Sequence, residues 1–148
     1  MSIQERLSSD LKTAMREKDD SRRSTIRFIR AAIQNEEKAK RRPLEDEEVI
    51  TVLTRMVKQH QESILGFEKA SRSELVIKEK DELAIVREYL PEQISDEKLK
   101  SLVLNAITET DAKEQSDMGK VMKILMPKIQ GKADGSKVSA LVKHLLTQ

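Results

Sequence analysis

The sequence predicts an all-α protein in two parts, an N-terminal antiparallel four-helix domain over residues 1–91 and a small three-helix domain over residues 92–148. Three observations carry that prediction. Apolar residues recur at spacings of three and four along nearly the whole chain, the period of a helix with one buried face. Glycine and proline are scarce, four and three in 148 residues, and several stand where a helix would stop. No β-strand pattern competes, and there is no internal repeat or low-complexity segment.

The first helix is expected from Ser2 to about Glu17, with Ile3, Leu7, Leu11 and Met15 spaced four apart on one face. Asp19, Asp20 and Ser21 supply turn and N-cap chemistry for a second helix from about Arg22 to Lys40. At roughly 100° per residue, Ile26, Phe28, Ile29, Ala32 and Ile33 make one apolar arc, and Arg23, Arg27 and Arg30 lie beside it. Arg42-Pro43 ends that helix. The third should run from about Glu45 to Ala70, its acidic start suiting the positive end of the helix dipole. Val49, Leu53, Met56, His60, Ile64 and Phe67 give it a packing seam. The fourth, from about Ser73 to Leu90, places Leu75, Leu83, Val86 and Leu90 on one side. Glu79 and Glu82 fall on that same side and need a partner there.

Leu90-Pro91 marks the boundary between the parts. Beyond it Ser95 opens a helix to about Thr110. Ser116 is expected to cap the next, with Met118, Val121, Met122 and Leu125 inward, and Pro127 should stop or kink it. Residues Gly131 to Gly135 make a turn, and Ser136 starts a last helix with Val138, Leu141, Val142 and Leu145 inward.

Composition narrows the function. The chain is 36% charged and 37% hydrophobic, enough apolar material for a core. Cysteine is absent, which removes disulfides, thiolate metal sites and cysteine nucleophiles and fits a reducing compartment. No stretch reaches transmembrane length, and Met1–Asp10 does not read as a signal peptide, so a cytoplasmic location and no membrane partner are expected. A net charge of +2 does not by itself announce nucleic acid. Its distribution says more: residues 118–148 hold six lysines against Asp134 alone, a local charge of +5, while every arginine precedes Pro91. Three aromatic residues, Phe28, Phe67 and Tyr89, are too few to stack successive bases.

Candidate sites are few. The run Gly131-Lys-Ala-Asp-Gly135-Ser-Lys137 fails as a nucleotide loop, because its spacing is wrong and it follows a helix. The free amides opening the last helix remain a place for a backbone phosphate. His60 sits on an apolar seam and reads as a core imidazole. A bundle metal site would want Glu-x-x-His pairs on facing helices; with none here, Glu79 reads as an acceptor for Arg72, Arg27 or His60. No catalytic residue, metal or cofactor is expected. The basic residues Arg23, Arg27, Arg30, Lys120, Lys123, Lys128, Lys132, Lys137 and Lys143 are left, either as a solvated face or as contacts to nucleic acid.

At Arg27-Phe-Ile-Arg30-Ala-Ala-Ile33, at Ser71-Arg72-Ser-Glu-Leu75 followed by Glu79, and at Glu88-Tyr-Leu-Pro91 the chain resembles the YqeY (GatB/YqeY-like) family of small bacterial proteins. Asp117-Met-Gly-Lys-Val-Met122 and Gly131-Lys-Ala-Asp-Gly135 extend the resemblance over essentially the whole length. It implies a helical N-terminal domain and a three-helix domain similar to the tail of the B subunit of the tRNA-dependent amidotransferase. It implies structural roles for Arg72, Glu79, Gly119, Met122, Gly131, Asp134 and Gly135, with Gly119 letting two helices approach closely and Met122 filling the core. The partners it implies are tRNA, or subunits of an amidotransferase or aminoacyl-tRNA synthetase. It also implies carbon–nitrogen ligase chemistry with glutamine as amide donor, which these residues do not equip: there is no cysteine, no Ser–Ser–Lys amidase stretch and no ATP site. The expectation is a non-catalytic accessory module that binds tRNA through its basic residues, with a protein-docking adaptor as the alternative. Whether Glu109, Asp111, Glu114 and Asp117 interleave with the lysines separates the two.

Overall fold

The computed structural model describes residues 1–147, and among these the chain forms seven α-helices and no strand. In order they are α1 (Ile3–Arg16), α2 (Asp20–Lys40), α3 (Asp46–Lys69), α4 (Ser73–Arg87), α5 (Asp96–Thr110), α6 (Met118–Ile129) and α7 (Gly135–Leu146), with one 3₁₀ turn (Gln115–Asp117) before α6. The contacts divide the chain into two compact units, Met1–Leu90 and the segment from Pro91 onward.

Local chemistry sets where the helices start. The Ser2 hydroxyl accepts from the Glu5 amide at 3.1 Å and the Glu5 carboxylate accepts from the Ser2 amide at 3.2 Å, a closed capping box. Asp19, Ser95 and Asp134 each accept from a first-turn amide, of Arg22, Lys98 and Ser136 respectively. Two starts differ from the sequence reading. Asp19 caps α2, so that helix begins at Asp20 rather than Arg22. Ser116 caps nothing: it lies in the 3₁₀ turn, and Asp117 organises the approach to α6 by accepting from the amides of Lys113 (3.0 Å) and Glu114 (3.2 Å).

The ends of α1, α2, α3 and α5 follow one pattern. Lys18, Arg41, Ser71 and Asp111 all have φ between 53° and 58°, the left-handed region, and none is glycine. In each case the following residue donates its amide to the carbonyl five positions back: Asp19 to Ala14, Arg42 to Glu37, Arg72 to Phe67 and Ala112 to Ile107. These are the bonds of a Schellman stop. Pro127 neither stops nor visibly breaks α6, which continues to Ile129. The amide that proline lacks would have bonded the Lys123 carbonyl, which is thus left without that intrahelical bond.

The N-terminal unit buries Leu7, Ile26, Ile29, Ile33, Val49, Leu53 and Val86 with essentially no exposure. Two expected core residues lie outside it. Met15 is 49% exposed and Ala14 is buried in its place, because four-residue steps drift round the helix by about 40° each. Phe28 is 65% exposed, since it sits roughly 140° round α2 from Ile33. Tyr89, just past α4, is the largest fully buried side chain. Its hydroxyl donates to Asp10 at 2.5 Å and the Arg6 guanidinium lies 5.0 Å from the ring centroid. Burial first, and then the bond to Asp10, pushes the phenol well above its ordinary range. The second unit packs Leu99, Val103, Val121, Leu125, Ile129, Val138 and Val142, with Met122 half-buried against them.

A serine held at positive φ costs about 1 kcal/mol that glycine does not. Ser71→Gly should therefore raise the stability of the N-terminal unit by up to about 1 kcal/mol, measured as a higher melting midpoint in thermal or urea unfolding. A lower midpoint would show that the Ser71 side chain contributes more than its conformation costs.

Candidate functional site

All six lysines of the C-terminal stretch are exposed. On α6, Lys120 and Lys123 fall opposite the buried stripe of Val121, Leu125 and Ile129, while Lys128 is exposed at its edge. Lys132 lies in the turn, and Lys137 and Lys143 project from α7. Two are paired with acids. Lys120 meets Asp117 at 3.7 Å, and Lys137 bonds Asp96 on α5. For Lys123, Lys128, Lys132 and Lys143, no acid lies within ion-pair distance among the described residues. Of the acids expected to interleave, Asp117 does so with Lys120, whereas the one ion pair made by Asp111 is with Lys113, at 4.0 Å.

Other expected positions are settled by local geometry. Gly119 is exposed, and a Cβ built on it meets nothing within 4 Å, so it does not serve a close helix approach. The same open space surrounds Gly135, which is the first residue of α7. Gly131 does need its freedom, with φ of 74°, and its carbonyl accepts from the Gln93 side chain at 2.9 Å. Asp134 caps α7 and takes the Ser136 amide at 2.9 Å, leaving that helix start less open to a phosphate. The arginine row is not one surface: Arg23 pairs with Asp20 at 2.8 Å, Arg27 is exposed, and Arg30 is half-buried against Gln34 and Glu37. Arg72 is exposed and pairs with Glu74 at 3.2 Å.

The N-terminal unit contains a second arrangement that the sequence reading left as a single salt bridge. Glu79 and Glu82, three apart on α4, face His60 on α3. The His60 Nδ1 is 2.6 Å from Glu79 Oε2 and 3.9 Å from Glu82 Oε2, and the three side chains are only 16–20% exposed. His60 is thus the partner that Glu79 required. The trio lies in a groove of about 400 Å³ between α2, α3 and α4, with Phe28 and Thr25 on the α2 side. The signal was present in the sequence as a Glu-x-x-Glu pair on an apolar side and a histidine on the preceding helix's seam. Their pairing depends on the register of α3 against α4, which spacing alone does not give.

Residues 4–146 match the family model described as Yqey-like protein. Three curated relatives are each named altered inheritance of mitochondria protein 41, mitochondrial. The protein of Eremothecium gossypii is 40% identical over 85 residues, 57% of this chain and 46% of its own length. That of Lachancea thermotolerans is 33% identical over 130 residues, 86% of this chain and 68% of its own. That of Pyrenophora tritici-repentis is 31% identical over 144 residues, 95% of this chain and 79% of its own. The matched segments thus span from under half to about four fifths of these relatives. Their names state no enzymatic activity. They are fungal and mitochondrial, which overturns the cytoplasmic expectation and departs from a purely bacterial grouping. The lack of cysteine and of an apolar span, on which that expectation rested, does not distinguish the cytosol from an organelle interior; no helix among the described residues is long and apolar enough to cross a membrane.

The acid within the basic face has a pH signature. The amides of Lys113 and Glu114, and then Lys120, hold Asp117 below the usual carboxylate range. A lowered native value stabilises the fold above the unfolded-state value, and that contribution is lost as pH falls through the native one. Asp117→Asn should therefore be less stable than the parent at pH 7, with the gap narrowing as pH falls below the ordinary carboxylate range and through the lowered native value. Parallel urea melts at pH 7 and at successively lower pH measure it; a gap that persists unchanged at low pH would assign the effect to packing.

Proposed function

The chain belongs to the YqeY-like family, and from that premise we propose that it is a binding module without catalysis of its own, whose C-terminal unit grips the phosphate backbone of a tRNA. One observation carries the reading: Lys123, Lys128, Lys132 and Lys143 are exposed on α6, α7 and the turn between them, with no acid in ion-pair range among the described residues. Unpaired lysines facing solvent are what counterion release requires, since a lysine already neutralised by a neighbour gains little from a phosphate. Few aromatic residues and no concave aromatic platform fit backbone contact in preference to base reading. The resemblance to the amidotransferase B-subunit tail supplies tRNA as the nucleic acid. No ATP site and no activated nucleophile support a ligase activity in this chain alone.

Docking on a protein partner, such as an amidotransferase or synthetase subunit, is a second reading. It is favoured by Phe28, Leu65 and Ile77, which are 58–65% exposed in the N-terminal unit. The two readings use different units and are separable by substitution.

Titration with bulk tRNA at several salt concentrations tests the first. The affinity should fall with a log–log slope of about −2 to −4, as for a few phosphate contacts. Lys123→Ala and Lys128→Ala should each weaken binding by roughly three- to tenfold and flatten the slope by about one unit, while Phe28→Ala leaves both unchanged. Binding no stronger than to a polyanion control, or equal loss in Phe28→Ala, would sink the RNA reading.

A further inference from the structure

We propose that His60, Glu79 and Glu82 form a divalent-metal site of the zinc class, with its open coordination position on the groove between α2, α3 and α4. This rests on the N-terminal unit alone and is independent of the RNA reading. The donor atoms of the three side chains all lie within 4.8 Å of one another. Ligands held about 2.1 Å from a tetrahedral zinc are about 3.4 Å apart. The two distances from His60 Nδ1, 2.6 Å to Glu79 and 3.9 Å to Glu82, straddle that value. Changes of under about 1 Å in these two distances reach it, with the imidazole proton on Nε2.

Charge argues the same way. Two carboxylates with side chains only 20% and 16% exposed share one imidazole, and among the described residues no lysine or arginine is within 4.0 Å of either. Even a protonated His60 leaves one negative charge there without a partner, which is costly in a half-buried setting. A divalent ion neutralises it. A separate observation points into the same groove: the Thr25 hydroxyl is buried, in a residue only 3% exposed, and is the one buried side-chain polar atom among the described residues without a hydrogen-bond partner. The hydroxyl has no open surface as it stands, and a small rotation of the Thr25 side chain would bring it to a metal-bound water or ligand in the groove. Three protein ligands and a fourth position open to a cavity are the pattern of a reactive or exchangeable metal, not of a closed structural one.

The test is zinc binding to the whole chain after chelator dialysis, followed by calorimetry at pH 7 and by cobalt(II) absorption spectra. The result expected is one ion per chain, weakened at least about tenfold by Glu79→Gln and by Glu82→Gln and unchanged by His144→Ala, with weaker uptake at lower pH as protons compete for the ligands. The cobalt complex should show the intense visible bands of tetrahedral coordination, a readout on the parent protein that does not depend on any variant folding. Absence of stoichiometric binding, an octahedral cobalt spectrum, or uptake lost in His144→Ala and retained in both glutamine variants would overturn the proposal.

Discussion

The N-terminal unit depends on the reversal between α3 and α4. Ala70 ends the first helix, Ser71 takes the left-handed conformation, and Ser73 opens the second, so the chain turns back within three residues. A turn this short leaves little choice of register. His60 and Glu82 lie eleven residues before and after Ser71, and Glu79 one helical turn nearer, so antiparallel packing brings them to the same level. The same reversal places the acidic side of α4 inward. Leu83 and Val86 are buried on that side, and the carboxylates cannot avoid going with them. A histidine at that level on α3 makes the register tolerable, and α2 lines the groove beside it with Thr25, Phe28, Ala31 and Ala32.

The C-terminal unit solves a different problem. Its core is small and aliphatic, so three short helices must be well capped to hold together. The acids do much of that capping. Asp134 is the one acid of residues 118–148 and is engaged at the start of α7; Asp117 binds two amides ahead of α6. Asp134 is thereby occupied with backbone and Asp117 reaches only Lys120, so Lys123, Lys128 and Lys132 are left with solvent. Their availability thus follows from how the helices begin.

Much of this was legible in the sequence, and the failures have common causes. All seven helices followed from periodicity and from Ser, Asp and Pro positions, and the cap at Asp19 with them, whereas the caps made by Ser2 and Asp134 were not read as such. The family was carried by short motifs at Arg27–Ile33, Arg72–Glu79 and Asp117–Met122. Phe28 and Met15 were misplaced because an apolar residue near the edge of a helical face is assigned by a few tens of degrees. Gly119 was misread because a glycine among apolar helix residues suggests a close approach, whereas the folded unit shows open space around it. Ser116 caps nothing because a 3₁₀ turn precedes α6, and Asp117 there binds the upstream amides of Lys113 and Glu114, an arrangement no spacing rule anticipates. The His60–Glu79–Glu82 cluster and the unpartnered Thr25 hydroxyl arise from tertiary register and packing, and local pattern does not encode either. Location was a limit of another kind, for composition does not distinguish compartments with similar redox chemistry.

In the proposed reading, the lysines without an acidic partner are what hold tRNA. The most direct measurement is lysine acylation footprinting of the whole chain, read by mass spectrometry with and without saturating tRNA. Protection should be concentrated at Lys123, Lys128, Lys132 and Lys143, smaller at Lys120 and Lys137, which have acidic neighbours, and absent at exposed lysines of the N-terminal unit such as Lys58 and Lys78. Protection that is uniform over the chain, or confined to the N-terminal unit, would contradict the account.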